Sequence, residues 1–143
     1  MHTILIAHHD VDFAEELASE LRGSGFYTIV TCPGPFPPQR CIQCDTGYCP
    51  LSDGAHLLIY DPTLTSLDAA GNLHYLAADS ALANPDVPML LAWSPDSMPN
   101  AGVLLAIRES APWVHVASSE PTTLRRQVQE LLLAQAHSLE ATR

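Results

Sequence analysis

The sequence has no lysine: its six basic residues are all arginine, set against sixteen acids for a formal charge of −10. Such a balance repels phosphate backbones and anionic lipid, so neither nucleic acid nor a membrane surface is expected as a partner. Apolar runs are short. The longest, such as Val87–Trp93, fall far below the roughly 20 residues that span a bilayer. No basic flank and no small-residue cleavage site accompany Met1-His2-Thr3, so no signal peptide is read and the cytoplasm is the expected compartment. No nucleophile–base pair, glycine-rich phosphate loop or dinucleotide fingerprint is visible, and an enzyme is not expected. Cysteine is absent outside one short stretch.

What is present describes a globular chain. Hydrophobic residues make up 47% and charged residues 15% of 143 positions, a composition that buries a core and does not stay disordered. The length suits one domain, 1–143, and no internal repeat or second core is apparent. Thr3–Ala7, Phe26–Thr31, His56–Tyr60, Pro88–Trp93 and Trp113–Ala117 read as five short buried strands. Between them, Phe13, Ala14, Leu17, Ala18 and Leu21 mark one helical face, with Asp10 or Asp12 as N-cap and Gly23 and Gly25 as stops. Asn72–Ala83 suits a second helix, with Leu73, Leu76, Ala77 and Leu82 inward, and Ala101–Glu109 a weaker third. A last helix opens at Pro121, its inner stripe Leu124, Val128, Leu131, Leu132 and Leu139. Alternation of this kind predicts a parallel sheet covered on both faces, with ligands beyond the carboxyl ends of the strands. His8, His9, Asp10, Asp61, Trp93, Ser94 and Ala117 are expected around that crevice.

These segments resemble a family. Ile4–Phe13 is similar to the first strand and loop of response-regulator receiver domains, and Leu57–Asp61 to their third strand, which ends in the phosphate-accepting aspartate. Asn72–Leu91 and Pro121–Leu132 resemble their third helix with fourth strand and their last helix. The resemblance implies a flavodoxin-like, doubly wound α/β fold of five parallel strands in the order 2-1-3-4-5, with helix 2 replaced by a Cys/Pro-rich loop. It makes Asp61 the phosphoacceptor equivalent and His8, His9 and Asp10 the equivalents of the acidic pocket. It also implies a homodimer through the fourth helix, fifth strand and fifth helix, where Trp113, Arg125 and Arg126 fall.

The chemistry departs from the family's. Receivers hold Mg²⁺ on oxygen ligands and neutralise phosphoryl oxygens with a hydroxyl and a lysine. Here imidazoles take the acidic pair's places, the hydroxyl position falls on Trp93 or Ser94, and the lysine position falls near Ala117. Mg²⁺ is therefore not expected, and a pseudo-receiver is: a signalling and protein-interaction module poor at or incapable of accepting phosphate. Asp61 then has a structural role beside Pro62. A sharper reading makes His8, His9 and Asp61 a two-His, one-carboxylate transition-metal set. His2, His56, His74, His115 and His137 carry no signal beyond surface or core filling.

All four cysteines lie within the loop 32–50, as Cys32-x8-Cys41-x2-Cys44-x4-Cys49. A CxxC with two further cysteines nearby reads as a closed tetrahedral zinc site that stands in for the missing helix. An iron–sulfur cluster, disulfides or reversibly oxidised thiols are the alternatives, and they would make the domain a metal- or redox-responsive sensor. A CxxC at the start of a helix would suggest thioredoxin-like redox work, but Pro50 and Gly47 argue against a helix there.

Overall fold

The computed structural model describes residues 2–24, 27–35, 41–96, 98–117 and 119–141. The expected positions Gly25, Phe26, Pro37 and Pro38 lie outside these, as do the side chains of His137 and Leu139.

Five strands form one parallel sheet: β1 (His2–Ala7), β2 (Tyr27–Cys32), β3 (Leu57–Tyr60), β6 (Met89–Leu91) and β7 (His115–Val116). Their order is β2-β1-β3-β6-β7, which is the 2-1-3-4-5 winding expected once a small hairpin is set aside. Side chains alternate across such a sheet, and the cores on its two faces follow that period. Ile4, Ile6, Leu57, Ile59 and Leu90 face α1 (Val11–Ser24) and α5 (Pro121–Ala141), against Phe13, Leu17, Leu21, Leu124, Val128 and Leu132. Leu5, Leu58, Tyr60, Met89 and Leu91 face α3 (Leu76–Ala83) and α4 (Ala101–Ser110), against Leu76, Ala77, Ala81 and Ile107. Each fully buried leucine or isoleucine contributes about 1.5–3 kcal/mol. The central strands are uniformly apolar because both of their faces are covered.

Four expectations are corrected. The helix expected over Asn72–Ala83 begins only at Leu76. Before it, β5 (Leu73–Tyr75) pairs antiparallel with β4 (Thr65–Leu67). The Asp68 carboxylate accepts the N–H groups of Ala70 and Asn72, both at 2.9 Å, and so turns the chain into a hairpin. Leu73 and Leu76 share a helical spacing, yet Leu73 is exposed, as is Leu82. The fifth strand shortens to two residues because a turn, Val114 N–H to Ala111 C=O, occupies its start. Finally, the cysteine loop contains one short helix, α2 (Ile42–Thr46), with Cys41 at its N-cap. Gly47 ends it in the left-handed conformation (φ 72°), so the glycine read as a helix breaker is a C-cap.

Candidate functional site

The carboxyl edge of the sheet brings the expected crevice together. β1 delivers His8, which is buried and donates its backbone N–H to Cys32 C=O at 2.9 Å. The His8 ring packs on Phe13 (centroids 4.8 Å apart) and stacks on His9 (5.4 Å, 21°). Its Nδ1 accepts the Asp10 N–H at 3.0 Å, which assigns the ring proton to Nε2. Nε2 is buried and turns its proton toward the Ala92 carbonyl, outside strict hydrogen-bonding geometry. Burial holds the His8 pKa below the ordinary histidine value, against the opposing pull of Asp61.

Asp10 faces α1. Its Oδ1 accepts the Phe13 N–H at 3.1 Å, the N-cap bond expected for Asp10 or Asp12, and that bond chiefly lowers its pKa. The one oxygen-bearing substitute for the acidic pair thus has a capping duty.

Asp61 follows β3 and is fully buried. Oδ1 accepts the Thr63 N–H at 2.9 Å and the Thr63 hydroxyl at 2.7 Å. Oδ2 pairs with the His9 ring Nδ1, lies 3.4 Å from the His9 N–H, and sits 3.6 Å from His8 Nδ1. Thr63 carries no signal in hydrophobic period, although Asp-x-Thr after a strand is the pattern of an Asx turn. Ala92 donates its N–H to Tyr60 C=O (3.0 Å), Ser94 is buried with its hydroxyl beside the Asp10 carboxylate, and Ala117, just after β7, is buried. His8, His9 and Asp61 each place a ligand atom within 4.8 Å of the others. For His8 that atom is the Nδ1 already engaged with Asp10.

The cysteine segment packs against the other face of the sheet. All four thiols are free and half-buried. Cys32, Cys41 and Cys49 line one cavity of about 200 Å³, walled by Leu5, Ala7, Tyr60 and Leu64. Gly34 (φ 86°) permits this close packing, since a Cβ there would stand 2.7 Å from a Leu64 methyl. Cys44 lies apart from that lining, beside His74 and Asp79. Burial raises the Cys41 thiol pKa and pushes that of Cys44 up to about 11. The four sulfurs do not form a set within 4.8 Å, so four-thiolate zinc ligation requires the segment to close further.

His74, given no role from the sequence, is held by two acids. Nε2 lies 2.8 Å from Asp68 and Nδ1 lies 2.7 Å from Asp79. The imidazole lowers the Asp68 pKa to about 2, and the two carboxylates, Asp68 foremost, raise that of His74. Nothing in hydrophobic period marks this residue. The turn at Asp68 and the packing of α3 create its surroundings.

No family model matches the chain, and no curated protein does. Solved structures do. A CheY-like response-regulator receiver domain from Methanospirillum hungatei superposes with a TM-score of 0.67 at 13% identity, covering 96% of this chain and 98% of its own. A structure described as a pilus assembly protein, cpaE, from Burkholderia thailandensis gives 0.60 at 19% identity, covering 91% and 97%. A pilus assembly-related protein from Burkholderia pseudomallei gives 0.58 at 22% identity, covering 94% and 91%. Sheet order and these likenesses define a receiver-like fold. Among the described residues, no helix is long and apolar enough to cross a membrane.

Proposed function

We propose that this domain is a cytoplasmic protein-interaction module of a signalling system that keeps the receiver fold without accepting phosphate. The observation that carries this reading is the state of Asp61. It is buried, both its oxygens have partners within the chain, and imidazoles stand where hard oxygen ligands would be needed. Mg²⁺ demands near-octahedral oxygen ligation, and no lysine exists anywhere to neutralise a phosphoryl group. No catalytic role is assigned to the domain.

Exposed apolar side chains support a contact role. Leu105 on α4, Trp113 and Val116 around β7, and Leu133 on α5 are each at least 39% exposed. This is the face through which the resemblance to receivers implies a homodimer. Arg126 is exposed there, whereas Arg125 is tied to Glu20 of α1 at 2.8 Å. The two pilus-assembly structures of similar fold make docking within a larger assembly a coherent role for such a face. The cysteine segment belongs to the same reading as a metal-fixed part of the surface; Cys32, Cys41, Cys44 and Cys49 are the thiolates that spacing alone suggests for it. A metal- or redox-responsive sensor is the second reading, favoured by three free thiols around one cavity. Oligomeric state that shifts with chelator or oxidant would favour the sensor.

The test is a titration with Mg²⁺ and beryllofluoride followed through the Trp93 indole resonance. The proposal expects no saturable shift. A saturable shift abolished by Asp61→Asn would end it.

A further inference from the structure

We propose that Cys44, His74 and Asp79 form a zinc-class metal site with one coordination position open, and that the cysteine segment takes up its ion there. This rests on the reading that the segment binds metal, and names different ligands from those its cysteine spacing suggests.

One ligand atom from each residue lies within 4.8 Å of the other two. The three come from separate elements, α2, β5 and α3, so an ion would tie the inserted segment to the body of the domain. His74 has the carboxylate partner that metal-binding imidazoles have on one ring nitrogen, and an ion would replace the proton that its other nitrogen shares with Asp79. Here Nε2 bonds Asp68 at 2.8 Å, and Asp68 is fixed by the N–H groups of Ala70 and Asn72. Nδ1 therefore faces Asp79 and Cys44. Nδ1 and the Asp79 oxygen are 2.7 Å apart. Bonds of about 2.1 Å at tetrahedral angles put ligand atoms roughly 3.4 Å apart, so seating an ion parts His74 Nδ1 and the Asp79 oxygen by about 0.7 Å.

The surrounding frame is already set. Asp45 accepts the Ala69 N–H at 2.9 Å, and the Cys41 N–H reaches Ser66 Oγ at 3.0 Å, which docks α2 on the hairpin on both sides of Cys44. A cavity of about 360 Å³ opens beside Cys44, His74 and Asp79 and gives access to solvent. Sulfur, nitrogen and oxygen together suit zinc or cobalt and not magnesium or calcium. Three protein ligands leave a fourth position for water or a partner's side chain.

The experiment is a Co²⁺ titration of the chelator-stripped full chain, read by visible absorption, with Zn²⁺ in competition. The wild type is expected to bind one equivalent with a thiolate-to-cobalt band displaced by Zn²⁺. His74→Ala should weaken binding more than about 100-fold, and Asp68→Asn, which only frees the ring, by about 10–100-fold. Cys32→Ser should leave it unchanged. Circular dichroism shows whether each variant is folded, and Asp68→Asn keeps the test alive should His74→Ala unfold. Binding that survives both His74→Ala and Asp68→Asn but is lost in Cys32→Ser overturns this assignment and leaves a four-thiol zinc site. No binding by the wild type overturns the metal reading altogether.

Discussion

Replacing Asp61 with alanine tests whether that carboxylate serves structure. In a pocket kept for phosphoryl chemistry, neighbouring acids repel the acceptor, and removing it relieves strain between like charges. Here its neighbours are Thr63, which donates twice, and two imidazoles. Hydrogen bonds to a charged acceptor contribute about 1.5–3 kcal/mol each. Two opposing effects reduce the sum: truncation ends the desolvation of a buried charge, and Thr63 and the half-exposed His9 can turn to water. A net loss of about 2–3 kcal/mol is expected, which lowers Tm by roughly 7–10 °C in a domain of this size. Urea unfolding followed by circular dichroism measures it, with an unchanged m-value identifying a native-state effect. Stability equal to or above wild type would refute the structural role and point to a carboxylate kept for chemistry.

Further expectations concern pH, packing and surface. His8 has a folded pKa below its unfolded value, so the unfolded chain binds the proton first. Its contribution is present above pH of about 6.5 and is lost as pH falls from there to the folded pKa, by up to ~1.4 kcal/mol per unit. Urea midpoints between pH 7.5 and 5 should show this, and His8→Phe should flatten the profile. Gly34→Ala should cost about 1–3 kcal/mol, since φ is 86° and Leu64 must move. An unchanged Tm would contradict that packing. Leu105→Asp and Leu133→Asp should alter stability by less than ~0.5 kcal/mol while weakening self-association in sedimentation. Association unaffected by both would remove this face from the account.

Much of the scaffold was legible because its signals are local. Apolar β-branched runs such as Thr3–Ala7 and the α1 stripe from Phe13 to Leu21 needed no knowledge of neighbours. The hairpin was hidden because Leu73 and Leu76 imitate a helical period, while the deciding force is the turn closed by Asp68. The crevice at His8, His9 and Asp61 followed from strand ends alone. Which atoms were already engaged did not, since the Asp10 cap and the Thr63 bonds depend on turn geometry. Spacing gathered four cysteines into one set. Tertiary packing gave Cys44 different neighbours, because His74 and Asp79 lie far along the chain on elements that meet α2 only in the fold.

The most direct measurement is intact mass after incubation with acetyl phosphate and Mg²⁺. The account predicts a spectrum identical to that of untreated protein, because the crevice offers imidazole and a fully engaged carboxylate. A gain of one phosphoryl group, absent from the Asp61→Asn variant, would contradict it.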